Sequence, residues 1–198
     1  MNDEARALAR RYLGTIAETM RRVETECLEE ILSAAELVVR SIRAGGKILV
    51  CGNGGSAADA QHFATEFVST LTLDHVRSSI PAIALTTDTS LLTAVSNDFG
   101  FEHVFERQVE SLGAAGDVLV GISTSWNSIN VVRAAELAHA RDLSVIALTG
   151  ESGGKLAPLA DVAVRVPSSL PYHVQECHIA VEQLIALLVE GELHPRVD

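Results

Sequence analysis

The stretch CGNGGSAADAQHFATEF, residues 51–67, decides the fold. An apolar run, KILVC at residues 47–51, leads into Gly52, Asn53, Gly54 and Gly55, and Ser56 then stands where a helix should begin. Glycines permit positive φ and close approach to the backbone, Ser56 is a capping residue type, and free N–H groups at a helix start attract anions. The segment reads as a strand turning into a helix. The turn itself is either a tight connection and nothing more or a cradle for a phosphate.

Outward from this stretch the same alternation repeats. Apolar runs at residues 47–52, 82–87, 117–123, 143–149 and 161–166 read as buried strands, and helical stretches are expected at 56–69, 90–94, 102–112, 128–140, 154–159 and 174–191. Strands alternating with helices predict an α/β fold, a doubly wound parallel sheet flanked by helices, with ligands bound beyond the carboxyl ends of the strands. Residues 3–44 keep helical spacing with no Pro and only Gly14 inside, as one long helix or two. Their apolar stripe (Leu8, Tyr12, Ile16, Met20, Leu28, Ile31, Leu32, Leu37) needs a cover, and a neighbouring subunit is the natural one. The expected organisation is a single domain over residues 1–198, with a helical arm at 1–45 used in oligomerisation and an α/β core at 46–198.

Composition agrees with that class. Hydrophobic residues make up 47% of the chain and aromatics only 4%, so the core must be built from Ala, Val, Leu and Ile. A formal charge of −11, with Lys and Arg scattered, argues against direct nucleic-acid binding and against an anionic membrane surface. An anionic ligand must therefore be held locally, by N–H groups and hydroxyls. Cys27, Cys51 and Cys177 show no pairing spacing, and no leader or bilayer-length apolar run is present, so a reduced, cytoplasmic setting is expected.

Two further constellations carry chemistry. GISTSWNS, residues 121–128, also follows a strand and precedes a helix, and offers hydroxyls from Ser123, Thr124, Ser125 and Ser128. It is a capped helix start or a second phosphate cradle that needs no Lys or Arg. His62 and Glu66, four residues apart, share a helix face, and Gln175, Glu176 and His178 open the last helix. The His62 and Glu66 pair reads as a metal-binding pair, as a general base (Glu66) on a sugar carbon, or as an ordinary surface or satisfied core pair.

The two cradles, His62 with Glu66, NDFGF at 97–101, TGESGGKL at 149–156 and QECH at 175–178 together resemble the sedoheptulose-7-phosphate isomerases (phosphoheptose isomerases) of the sugar isomerase (SIS) domain superfamily, in order from the first helix to the last. The resemblance implies a five-stranded parallel sheet, a homotetramer, and conversion of sedoheptulose 7-phosphate to D-glycero-D-manno-heptose 7-phosphate. It implies that the phosphate lies against Ser56 and the loop of Ser123, Thr124, Ser125 and Ser128, with Asn53, Gly54, Gly55, Glu66, Asn97, Asp98 and Gln175 contacting the sugar. It also implies zinc held by His62, Glu66 and Gln175 as three of four ligands, and Glu66 as the base that moves a proton between the two carbons of an enediol.

The chain departs from that family at the reacting end. The family's fourth ligand and second acid/base, a histidine, is replaced by Gln183, with Glu182 beside it and His173 nearby in sequence as open substitutes. Trp126 stands where the family commonly has Gly, and Leu170-Pro171 where it has Asp-Thr. A second function therefore stands beside the first: a non-catalytic phosphosugar-binding SIS protein with a regulatory role, like relatives that bind the bacterial replication initiator, lack the same histidine and carry a short His-containing tail, here Leu193-His194-Pro195. Gly55, Ser56 and Glu66 match the enzymes.

Overall fold

Residues 3–44 form two helices, α1 (Asp3–Glu26) and α2 (Leu28–Arg43), in the computed structural model, which describes residues 2–125 and 127–195. Asn2 caps α1 by accepting from the Ala5 N–H. The break falls at Cys27, whose buried thiol donates to the Arg165 carbonyl and ties the corner to the core. The expected stripe divides within both helices, with Ile16 of α1 packed against the core. Ile31 and Leu37 of α2 are buried in the core, whereas Leu8, Tyr12, Met20, Leu28 and Leu32 face outward.

The strands β1 (Ile48–Cys51), β2 (Ala82–Ala84), β3 (Val118–Ser123), β4 (Ser144–Gly150) and β5 (Val162–Val166) form one parallel sheet in the order β2-β1-β3-β4-β5. Their period-two alternation sorts the core into two layers. Ile48, Val50, Val118, Val120, Ile122, Ile146 and Leu148 face the layer built by α2, α3 (Gly55–Val68) and α7 (Pro171–Leu193). Leu49, Cys51, Leu119, Val145 and Ala147 face α4 (Thr89–Asp98), α5 (Glu106–Leu112) and α6 (Ile129–Ala140). Strand order reverses between β1 and β3, the position at which such sheets bind ligands. The two sequence cradles follow these two strands, with Cys51 directly opposite Gly121.

Three local expectations are corrected. The stretch 154–159 is no helix but a 3-10 turn, Ala157–Leu159, because Gly153 and Gly154 both take positive φ. The stretch 102–112 splits into a 3-10 turn, Phe101–His103, and α5. The last helix starts at Pro171, earlier than residue 174, since a proline in the first turn forfeits no helical hydrogen bond.

Helices α3 and α7 pack side by side, and the polar groups between them are unusual. Phe63 and Phe67 of α3 meet edge to face and join Val174, Cys177, Val181 and Ile185 of α7 in the core. At the far end Arg77, in the segment after α3, donates through Nε to Glu190 of α7 at 2.7 Å, with both side chains under 5% exposed. The same guanidinium donates to the carbonyls of Glu66, Phe67 and Ser78. Nearer the sheet's carboxyl edge, Glu182 is fully buried with neither carboxyl oxygen hydrogen-bonded. Desolvation, with Asp59 of α3 as a second cause, pushes its pKa up to about 9, so it is a neutral acid at pH 7. His178, buried and bonded to the Thr149 carbonyl, is the converse case: desolvation lowers it to about 4 and keeps it neutral.

Two consequences are measurable. Arg77→Met strands the Glu190 carboxylate in the core and is expected to cost about 3–5 kcal/mol in denaturant unfolding; a loss below about 1 kcal/mol would show the pair to be energetically idle. For Glu182, both folded and unfolded chains hold the proton below its ordinary value of 4.5, while between there and about 9 only the folded chain holds it. Rising pH across that window therefore favours unfolding. Glu182→Gln is expected to be more stable than the parent near pH 8 and to lose less stability between pH 5 and pH 8. Parallel pH profiles for the two proteins would refute this.

Candidate active site

The first cradle is a backbone device. Gly54 is the N-cap of α3 at φ +58°, ψ −119°, a conformation that side chains with a Cβ avoid. Ser56 is not the cap, contrary to its appearance in the sequence; it lies within the first turn, almost fully buried, and α3 has no side-chain cap. The first-turn N–H groups thus stay unclaimed by any capping side chain, unlike those of α1 and α4, which Asn2 and Asp88 cap. Gly55 is needed for a different reason, since a Cβ there would run into the Gln175 carboxamide arriving from α7.

The second cradle closes on itself. Ser123, Ser125 and Ser128 form a triangle of hydroxyls at 3.1–3.4 Å. Ser128 N-caps α6 by backbone only, so its hydroxyl is committed to the triangle and not to the helix. Thr124 is half-buried in the same loop, and Trp126 lies outside the described residues. Asn53 from the first loop and Asn130 from the first turn of α6 exchange two hydrogen bonds of 2.9 Å, joining the cradles. Asn130 carries no signal in the sequence beyond its place after the hydroxyl loop.

The third group assembles as the helix spacing demands. His62 Nε2 and Glu66 Oε1 are 3.2 Å apart on α3, and Gln183 of α7 reaches both, with its Nε2 at 2.5 Å from His62 Nε2 and 3.0 Å from Glu66 Oε1. An amide NH2 can donate to both only if His62 Nε2 carries a lone pair. Of the open substitutes for the histidine, none supplants Gln183 itself. Glu182 turns the other way, into the dry space beside Asp59. His173 bonds Glu176 through Nδ1 at 2.7 Å and packs against the rings of Tyr12 and Tyr172, pinning α1 to the start of α7.

Gln175 stands between the first cradle and this group. Asp59 is a buried carboxyl raised above its usual range by desolvation, an effect that the Gln175 carboxamide and His62 partly offset. Asn97 and Asp98, at the end of α4, bond to each other, and among the described residues no hydrogen bond joins them to the cradles. Asp59 and Asn130 are the site residues that the sequence patterns do not single out. A 3.2 Å spacing between His62 Nε2 and Glu66 Oε1 suits two ligands of one tetrahedral ion, which at about 2.0–2.2 Å from zinc stand about 3.3 Å apart. The remaining donors are carboxamides, and among the described residues no three His, Cys, Asp or Glu side chains converge for a metal.

Comparison with known proteins accords with this geometry. Residues 11–150 match the SIS domain family. The chain is 49% identical over 193 residues to the phosphoheptose isomerase of Rhodospirillum rubrum, covering 98% of this chain and 99% of the relative. It is 52% identical over 195 residues to that of Neisseria gonorrhoeae, covering 93% and 98% respectively. Among solved structures, a phosphoheptose isomerase from Neisseria gonorrhoeae superposes with a TM-score of 0.87 at 45% identity, and one from Francisella tularensis with 0.89 at 35% identity; each match spans 96% of this chain and 100% of the other. A chain with this sheet order, these two cradles and this degree of likeness along nearly its whole length belongs to the phosphoheptose isomerases of the SIS domain family.

Proposed function

We propose that the protein is an aldose-ketose isomerase that converts sedoheptulose 7-phosphate to D-glycero-D-manno-heptose 7-phosphate, with Glu66 as the proton-transferring base. The observation that carries this reading is the Glu66 carboxylate, held against His62 and Gln183 on the helix that begins in the first cradle. The 7-phosphate would rest on the N–H groups at Gly55 and Ser56 and on the hydroxyls of Ser123, Thr124, Ser125 and Ser128. Asn53, Gly54, Gly55, Asn97, Asp98 and Gln175 would line the sugar. Glu66 takes a proton from C1 of the ketose, leaving an enediol, and returns it to C2, while the former ketone oxygen O2 gains a proton and the C1 hydroxyl loses one as the carbonyl moves from C2 to C1.

A zinc ion held by His62, Glu66 and Gln175 is part of the same reading, with the Gln183 carboxamide as the fourth neighbour. Such an ion would supply charge stabilisation at the sugar's carbonyl and hydroxyl oxygens. Two carboxamides bind zinc less strongly than an imidazole would, so lower occupancy than in a His-containing site follows from the donor chemistry. Gln183 donates hydrogen bonds but does not transfer a proton, which leaves proton exchange at the sugar oxygens to water. A homotetramer fits the outward apolar residues of α1, Leu8 and Leu13, which are more than half exposed in the single chain. Among the described residues no helix is long and apolar enough to cross a membrane, and a cytoplasmic setting suits three buried, unpaired cysteines.

Two experiments test this. Purified protein incubated with sedoheptulose 7-phosphate, with and without added zinc, should form the aldose, and Glu66→Gln should lower kcat by about 10²- to 10⁴-fold. Binding of the sugar phosphate without turnover would overturn the isomerase and leave a non-catalytic phosphosugar binder. In Gln183→His, zinc affinity is expected to rise by about tenfold or more, with kcat rising alongside it. Unchanged metal content by elemental analysis would exclude a role for position 183 in metal binding.

A further inference from the structure

We propose that Asn130 is a positioning residue of this site, acting by fixing the carboxamide of Asn53. The inference rests on the isomerase reading above. Asn130 is 2% exposed, so it does not meet the substrate itself. Asn53 is only half-buried, next to Gly54 in the first cradle. The two residues come together because β1 and β3 are neighbours, and the chain leaving β1 lies beside the start of the helix that follows β3.

Their reciprocal pair has an ambiguity that a third group removes. Asn53 Nδ2 donates to Asn130 Oδ1 and Asn130 Nδ2 donates to Asn53 Oδ1, both at 2.9 Å. Turning both carboxamides over at once would exchange every donor for an acceptor and recreate the same two bonds. The backbone N–H of Val131 breaks this symmetry by donating to Asn130 Oδ1 at 3.0 Å. Only one orientation of Asn130 offers that N–H an acceptor, and an unpaired buried N–H is costly. Once Asn130 is set, Asn53 is set as well. Each Asn53 polar atom has one bonding site committed to Asn130, which leaves one N–H and one lone pair pointing out of the pair in fixed places. Sugar hydroxyls both donate and accept, so an inverted Asn53 would still bind the sugar but in the wrong pose, and small errors of pose fall mainly on the chemical step.

A double-mutant cycle in kcat/KM for sedoheptulose 7-phosphate separates positioning from a merely structural role. Asn130→Ala is expected to lower kcat/KM by about 10- to 100-fold, mostly through kcat. In an Asn53→Ala background the same change should cost less than about twofold, because nothing remains to be positioned. Asn130→Asp keeps the acceptor for Val131 but sets an oxygen against Asn53 Oδ1, and should lose activity like Asn130→Ala; it serves as the second variant if the alanine form does not fold. Losses that multiply across the cycle, or an Asn130→Ala protein within about twofold of wild type, overturn the proposal while leaving wild-type turnover intact. If wild type itself fails to turn over the sugar, the isomerase reading falls, and the cycle is read instead in the Kd for sedoheptulose 7-phosphate, where multiplying or absent effects again overturn the role of Asn130.

Discussion

The site depends on how α3 is held against α7. The side chains proposed to react come from those two helices, His62 and Glu66 from one and Gln175 and Gln183 from the other, so their spacing is the spacing of the helices. Hydrophobic contact between Phe63, Phe67 and the α7 core supplies attraction without direction. Direction comes from Arg77, whose guanidinium bonds carbonyls without helical partners at the end of α3 and binds Glu190 across the gap. An ion pair this dry is tolerated because every fork of the guanidinium has a partner. It also prevents sliding: a shift of one helix along the other would part Arg77 from Glu190 in the same motion that parted Glu66 from Gln183.

Between the two helices polarity is graded. At the dry end Glu182 is neutral and its neighbour Asp59 is raised toward neutrality; at the wet end His62 and Glu66 face a half-open space. Gln175 stands at this boundary, its carboxamide packed against Gly55 and lowering the pKa of Asp59. The unpaired acid at Glu182 lowers stability near neutral pH, a cost tolerated where buried polar groups adjoin a functional site.

The sheet was legible in the sequence because its signal is local. Buried runs such as ILVC and VLVGIS bounded by small residues locate β1 and β3, and with them both cradles. The pairing of His62 with Glu66 follows from the four-residue period alone. What could not be read depends on contacts distant in sequence. Ser56 has the residue type of a cap, yet the turn at Gly54 moves the helix start upstream of it. Whether Glu182 or Gln183 met the reacting group turned on one residue's difference in helical phase, about 100°, and on which side α3 lies. Asn130 is one polar residue among several until the neighbouring strand brings Asn53 beside it.

The two ends of the site are built from different material, and this bears on where such a family can change. In the proposed reading the phosphate end would use backbone N–H groups, positive-φ glycine and a ring of hydroxyls, and so would require no cation in a chain of net charge −11. Most side-chain substitutions around it leave those N–H groups where they are. The proposed reacting end is made of side chains reaching across a helix pair. Gln183, in place of the histidine that the family resemblance implies, bonds to His62 and Glu66 without an imidazole's proton chemistry. The fold accommodates that exchange because the carboxamide still bonds to both His62 and Glu66, so the substitution reaches the chemistry of the site without reaching its architecture.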